Sequence, residues 1–450
     1  MAYSGEMKNF CEPFEAKKVT VMGLGLLGRG VGDVEFLAAC GARVLVTDTK
    51  RAHELADSIE KLKKYPNVSF HLGEHKEEDF TRCDFILKAA GVPLSSPFIE
   101  AARTADVPVY MSTALFANYA MHEGAMIVGV TGTRGKSTVT QMMYEILKTK
   151  NKENVLLGGN VRGVSTLSFL PQVTKDTIAV LELDSWQLQG FGDLKISPQI
   201  AVFTNLMPDH QNYYKDMDEY FADKANIFRF QIEGDVLVCG KGIEEKITAA
   251  APKVLPRVPT PLPSDWKLKI PGEHNRENAA LAAEALRTLK VSEDEIRVGL
   301  EKFEGVEGRL QLAGEVNHVK IYNDNNATTP EATIAALEAL DPEGRRNILL
   351  IIGGADKGLD MSHLQRAIQM HCKKVLLLAG TGTEKIRSYV SDAVFFDSLK
   401  SAFDAALASA TMDDIILFSP AFASFGMFKN EYERNDEFVR ILTEVLKRDV

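Results

Sequence analysis

The chain has 450 residues, 45% hydrophobic and 25% charged, an ordinary composition for a folded protein of roughly two to four domains. A net charge of −10 excludes broad binding to nucleic acid or anionic membranes, so any anionic ligand must be held by local donors. No apolar run approaches the roughly 20 residues that span a bilayer and no leader pattern opens the chain, so a cytoplasmic location is expected. Cys11, Cys40, Cys83, Cys239 and Cys372 lie far apart without metal-binding spacing and read as buried thiols in a reducing compartment.

Lys18-Val19-Thr20-Val21-Met22 reads as a strand. It runs into Gly23-Leu24-Gly25-Leu26-Leu27-Gly28, then a helical stretch to Cys40 and a second strand from Ala42 to Asp48. A strand, a GxGxxG turn, a helix and an acid about 20 residues past the last glycine form a dinucleotide fingerprint. The glycines admit a diphosphate and the acid can hold a ribose or base, so NAD and other nucleotides both fit here. Phe85-Ile86-Leu87, a Gly91-Val92-Pro93 turn and Val107-Pro108-Val109-Tyr110 continue the alternation.

From near Leu115 a second α/β segment carries the strongest signal. An apolar run from Ile127 breaks into Gly132-Thr133-Arg134-Gly135-Lys136-Ser137-Thr138 and a helix over 139–147. Glycines at 129, 132 and 135 let backbone N–H groups turn inward, and the helix adds its positive end, so the loop can cradle a polyphosphate. Lys136 would reach the β/γ-phosphates and Ser137 would face a Mg2+. The match to GxxxxGKS is imperfect, because Val130 stands where glycine is expected. Strands at 178–183 and 200–205 end in Glu182 and near His210. In an open parallel sheet such ends meet at the ligand crevice, so both residues are expected beside the loop as metal ligands or proton carriers.

The stretch 217–230 reads as an amphipathic helix on which Lys224, by composition alone, is a snorkelling surface lysine. Prolines from 252 to 263 mark a surface loop. Asn275 and Asn278 open an alanine-rich helix, three positions apart, where amides can cap backbone or bind a base. From about Glu307 a third doubly wound segment follows, with strands at 319–322, 347–352, 375–378 and 415–418 and polar loops that include Thr328 and Lys357.

The order of these signals resembles the Mur ligases. It comprises TGTxGKST at 131–138, Gly-Gly-Asn at 158–160, Glu-x-x-Ser-x-Gln at 182–187, Thr-Asn and Asp-His within 204–210, and His-Asn-x-x-Asn at 274–278. Gly-Arg at 308–309, Tyr-Asn-Asp at 322–324, GGxDKG at 353–358 and Phe-Lys-Asn at 428–430 complete it. GGADKG and the segment from Ser419 to Asn430 with Arg434 are most similar to the branch of the family that adds D-glutamate.

The resemblance implies an α/β chain with a Rossmann-like UDP-substrate domain over 1–113, a central P-loop ATPase-type domain over 114–306 and a Rossmann-like amino-acid-binding domain over 307–450. It displaces the NAD reading. It implies an ATP- and Mg2+-dependent ligase that adds D-glutamate to UDP-N-acetylmuramoyl-L-alanine through an acyl phosphate, in peptidoglycan precursor synthesis in the cytoplasm. A ligase of the same family with another acceptor or amino acid, such as a folylpolyglutamate synthase, is the alternative.

Gly25, Leu26, Leu27, Asp48 and Asn160 are implied to hold the UDP substrate. The ATP site would comprise Gly132, Thr133, Gly135, Lys136, Ser137 and Thr138 with Asn275, Asn278, Arg309 and Asp324. Ser137, Glu182, His210 and a carbamylated Lys224 would hold Mg2+, with Lys136, His210 and Lys224 catalytic. Thr328, Lys357, Ser424 and Phe425 would hold D-glutamate. A monomer is expected, with neither nucleic acid nor membrane as partner. The chain departs from the family pattern at Arg134 for asparagine, at Asn325-Asn326 for Ser-Lys, at Asn212 for an acid and at Gly426 for aspartate.

Overall fold

The computed structural model describes residues 10–25, 28–150, 154–209, 213–390 and 394–447. Leu26, Leu27, His210 and Asn212 therefore lie outside the described residues. The chain divides into two compact units, Met1–Thr260 with Ala280–Ile296, and Pro261–Ala279 with Arg297–Val450.

The first unit contains two parallel sheets. In the first, β1 (Lys18–Met22), β2 (Arg43–Asp48), β3 (Val68–Leu72), β4 (Phe85–Lys88) and β5 (Val109–Tyr110) take the order β3-β2-β1-β4-β5. The chain reverses direction across the sheet between β1 and β4, and β1 runs straight into the glycine turn. Such a switch point opens a crevice at the strand ends.

The second sheet comprises β6 (Met126–Thr131), β7 (Val155–Gly159), β8 (Ile178–Glu182), β9 (Ile200–Phe203), β10 (Val236–Cys239) and β11 (Pro256–Arg257), in the order β11-β10-β9-β6-β8-β7. β6 lies between β8 and β9, so the phosphate loop emerges flanked by both of their ends. Pro256 does occupy a strand, but on the sheet edge, where a missing N–H leaves no ladder bond unmade. One continuous apolar core spans both sheets, from Phe14 and Val34 to Phe203 and Ile247. The helix Ser112–His122, which follows β5, feeds Ala114, Phe116 and Ala117 into it.

The second unit holds β12 (Gln311–Val316), β13 (Val319–Asn323), β14 (Ile348–Ile352), β15 (Cys372–Leu378), β16 (Val394–Phe396) and β17 (Ile415–Phe418), in the order β12-β13-β17-β14-β15-β16. Only the edge strand β12 runs antiparallel, paired to β13. All five residues of β14 are buried because both sheet faces are covered. Its side chains alternate between two cores, Leu350 and Ile352 on one face, Leu349 and Ile351 on the other.

Two sequence expectations are corrected here. Cys11 and Cys40 form a disulfide, with Cα atoms 4.7 Å apart, because the helix Arg29–Ala39 returns the chain to its start; Cys83, Cys239 and Cys372 are free. The helix Met217–Lys224 tightens into a 3-10 turn over Ala225–Ile227 and stops short of the expected 230. Among the described residues no helix is long and apolar enough to cross a membrane.

Candidate active site

Gly132 and Gly135 adopt φ of +143° and +82°, conformations that glycine alone adopts freely, and between them the chain turns from β6 into the helix Lys136–Lys150. The loop is pinned from the end of β9. Thr204 Oγ1 donates to Arg134 O at 2.5 Å, Arg134 N donates to Asn205 Oδ1 at 2.9 Å, and Thr133 N donates to Asn205 O at 3.0 Å. The Arg134 guanidinium reaches Asp209 at 3.6 Å. Lys136 Nζ lies over its own loop, donating to Gly132 O at 3.1 Å and Thr133 O at 3.0 Å. Thr138 is buried in the first helical turn.

From the other side, β8 delivers Glu182, which is buried. Its Oε2 accepts the Ser137 hydroxyl at 2.5 Å and its Oε1 accepts Asn160 Nδ2 at 3.3 Å. Glu182 therefore stands beside the phosphate loop as expected from its strand end.

Lys224 is not a surface lysine. It is 1% exposed, with Nζ donating to Gly132 O at 2.8 Å and Thr131 Oγ1 at 3.4 Å, and it sits 4.8 Å from the centre of the Tyr220 ring. Burial, and secondarily repulsion from Lys136, push its pKa well below the ordinary lysine value. Local periodicity could not reveal this, because the lid over Lys224 is a loop some 90 positions earlier in the chain.

A cavity of about 390 Å3 opens at the switch point of the first sheet. Gly23, Gly25 and Asp48 line it from the first sheet, and Gly159, Val164 and Thr166 from the second. Asp48 is buried; Oδ2 accepts Leu24 N at 2.9 Å and Oδ1 accepts Lys50 N at 2.9 Å, so it fixes the glycine turn it was expected to assist. Two links join the glycine-turn helix to the second sheet's loops. Arg29 Nη1 donates to Asn160 Oδ1 at 2.9 Å, and Ser165 Oγ donates to Asp33 Oδ1 at 2.6 Å. Burial raises the Asp33 carboxyl to about 6.

The second unit carries its own polar cluster. Lys357 Nζ donates to Thr328 Oγ1 at 3.1 Å, and a bridge between Ala355 and Ala423 sets the GGADKG loop beside buried Ser424 and exposed Phe425. Asp324 is buried, accepting Ser419 Oγ at 2.8 Å and Leu310 N at 3.0 Å, and burial raises it to about 7. Arg309 is half-buried next to Leu310. Asn275 Nδ2 donates to Pro271 O at 2.7 Å and Asn278 Nδ2 to Asn275 Oδ1 at 3.4 Å, so both amides brace the start of their helix.

Family models match along the chain: a Mur ligase MurD-like N-terminal domain over residues 17–111, a Mur ligase middle domain over 130–257, and a Mur ligase glutamate ligase domain over 308–422. A UDP-N-acetylmuramoylalanine--D-glutamate ligase of Roseiflexus sp. (strain RS-1) is 36% identical, with 95% of this chain and 98% of that protein aligned. The chain belongs to the Mur ligase family.

A second relative, of the same name, from Borreliella burgdorferi (strain ZS7) is 33% identical over 94% of this chain and 97% of its own. The UDP-N-acetylmuramate-alanine ligase MurC of Thermotoga maritima shares the Mur ligase fold at a TM-score of 0.62 and 18% identity, covering 95% of this chain and 100% of its own. MurF ligase of the same organism, solved with ADP, has a TM-score of 0.60 at 16% identity over 98% of this chain and 97% of its own.

Mur ligases work with Mg2+, and the donors of this member can be tested against it. Among the described residues no three His, Cys, Asp or Glu side chains are grouped to hold a metal. Mg2+ needs no such cage: it takes hard oxygen ligands, commonly one or two from the protein with phosphate oxygens and waters. The Ser137 hydroxyl and Glu182 carboxylate, adjacent at the phosphate loop, fit that requirement.

Sequence reasoning quoted Thr204, Asn205 and Arg434 as motif residues of this Mur ligase but gave them no role, and the structure shows all three to be positioning residues. Thr204 and Asn205 fasten the phosphate loop; their signal was a Thr-Asn pair at a strand end next to a P-loop. Arg434, 1% exposed, donates to Asn325 Oδ1 and O, each at 2.8 Å, and to Phe422 O at 3.2 Å. Asn325 is thereby an element of the scaffold.

Proposed function

We propose that this Mur ligase joins D-glutamate to the L-alanine carboxylate of UDP-N-acetylmuramoyl-L-alanine, converting ATP to ADP and phosphate, in peptidoglycan precursor synthesis. The observation that carries the reading is the phosphate loop with Ser137 bonded to Glu182 and Lys224 buried beneath it, in a chain 36% identical over nearly its full length to a relative of that name.

A carboxylate is a poor electrophile. Transfer of the γ-phosphoryl group of ATP to it forms an acyl phosphate and releases ADP, with Lys136 and the loop N–H groups balancing the charge on the moving group. The neutral amine of D-glutamate then attacks the acyl carbon; the C–N bond forms and the bond to phosphate breaks. The proton lost by the amine goes to His210 or to the departing phosphate.

Gly132, Thr133, Gly135, Lys136, Ser137 and Thr138 are assigned to the ATP phosphates, and Asn275, Asn278, Arg309 and Asp324 to the remainder of ATP. Gly25, Leu26, Leu27, Asp48 and Asn160 are assigned to the UDP substrate, and Thr328, Lys357, Ser424 and Phe425 to D-glutamate. These roles divide the chain as 1–113, 114–306 and 307–450. Mg2+, when bound, would neutralise the phosphate oxygens, with Ser137, Glu182 and His210 as protein ligands.

Lys224 completes the set as a carbamate. An ammonium would repel the metal. A buried lysine whose pKa is pushed far down is a neutral amine, which adds CO2 and releases a proton to give an anionic oxygen ligand. The deciding experiment measures phosphate release with Mg2+, ATP, UDP-N-acetylmuramoyl-L-alanine and D-glutamate, omitting each in turn and substituting L-glutamate. Release that needs both substrates and the D isomer is expected. Release stimulated only by another amino acid or acceptor would keep the chemistry and overturn the substrate.

A further inference from the structure

Arg29 opens the helix Arg29–Ala39 immediately after the last glycine of the turn, and its side chain borders the 390 Å3 cavity. A cation in a first helical turn faces the positive end of the helix dipole, an unfavourable place. Its hydrogen-bond partner is the neutral Asn160 amide, at 2.9 Å, and the buried Asp33 carboxyl, one turn along the helix, feels its charge. That amide is the hinge of a chain of contacts. Asn160 Nδ2 donates to Glu182, and Glu182 accepts Ser137 of the phosphate loop.

Two other cations border the cavity and are placed differently. Lys88 is buried with Nζ donating to the carbonyls of Ala89, Ala90 and Val92, so it holds its own loop together. Lys50 follows β2, its backbone N–H bonded to Asp48 Oδ1 at 2.9 Å. Arg29 is thus the cation on the wall where the glycine turn meets the second sheet. A guanidinium has five N–H donors in a rigid fork, and the bond to Asn160 engages one nitrogen while fixing the fork's orientation. Paired donors in that geometry match phosphate oxygens.

We propose that Arg29, oriented by Asn160, binds the diphosphate of a uridine diphosphate ligand seated in this cavity and so positions the nucleotide sugar relative to the phosphate loop. The inference rests on the nucleotide-sugar reading of the cavity. Gly23, Gly25 and Gly30 line the cavity beside Arg29 and leave its wall open, and Arg29 adds the charge.

The test is calorimetric binding of UDP and of uridine to the full-length protein, in the parent, R29M and R29K. Loss of charge-assisted hydrogen bonds should weaken UDP by about 10- to 100-fold in R29M while uridine stays within about 2-fold, and R29K should recover only part of the loss. The salt dependence of UDP binding should flatten in R29M. Equal loss of UDP and uridine would make Arg29 a structural staple between the two sheets, and unchanged UDP affinity would also overturn the proposal. A parent that binds neither probe removes the nucleotide reading itself, so the two failures differ. Should R29M not fold, R29Q, which keeps a donor for Asn160 without the charge, serves in its place.

Discussion

Replacing Gly132 by alanine asks a methyl group to lie 1.9 Å from the Thr204 hydroxyl and 3.0 Å from Asn205 N. The Thr204 side chain can rotate, but doing so gives up its bond to Arg134 O, worth about 1 kcal/mol net. The Asn205 backbone cannot rotate away. Holding a non-glycine residue at φ of +143° adds about 1–3 kcal/mol. The total, about 2–4 kcal/mol, falls on the carbonyl that Lys136 and Lys224 both bond, so the cradle itself is displaced. We expect G132A to bind ATP about 100-fold more weakly or worse, a loss of about 3 kcal/mol, and to unfold at lower denaturant. Calorimetric ATP binding and urea unfolding of G132A, T204A and the double variant measure the parts. T204A should lose only the hydroxyl's bond, and because G132A already forfeits that bond, G132A/T204A should cost about as much as G132A and less than the two single losses added together. Parent-like ATP affinity and unfolding midpoint in G132A would refute the reasoning, as would losses that add fully in the double variant.

The remaining predictions concern buried charge. Asp324 rises from 3.8 in the open chain to about 7 in the fold, so its contribution to stability is present below pH 4, is lost as pH rises toward 7 and stays lost above it. D324N, which can still accept from Leu310 N, should remove that slope and resist unfolding better than the parent at pH 8, by at most about 4 kcal/mol; parallel pH profiles would contradict this. R434M leaves three acceptors on Asn325 and Phe422 without their donor and should destabilise the second unit by about 2–4 kcal/mol after relief of the buried charge, read from unfolding midpoints. K224A should lower phosphate release by about 100-fold or more with the fold retained, and acetate should restore part of it by supplying the missing carboxylate; an active K224A would remove the carbamate. Under bicarbonate, 13C labelling should mark the parent and not K224A.

The elements were legible where a local pattern encodes them. Lys18–Met22 and Ile415–Phe418 form strands with the expected limits, since short β-rich runs bounded by turn residues leave the backbone few alternatives. The phosphate loop was legible for the same reason, because its glycines and the Lys-Ser pair act within one turn of chain. Strands such as Val68–Leu72 and Gln311–Val316 escaped notice, being half-exposed and lacking a clear apolar run. The disulfide between Cys11 and Cys40 could not be read from spacing, which says nothing of how a helix returns the chain.

What the sequence by itself determined is therefore the order of strand, loop and helix and the chemical identity of each loop. Only the tertiary structure decided what those loops touch. It put Lys224 under Gly132, Thr204 and Asn205 against Arg134, Arg29 against Asn160, and Arg434 beneath Asn325. These partners stand far apart in sequence, and the same lysine or arginine on an exposed face would have the same local pattern. Their roles come from burial and from the carbonyls and amides that distant strands bring within hydrogen-bonding reach, neither of which any local window of sequence contains.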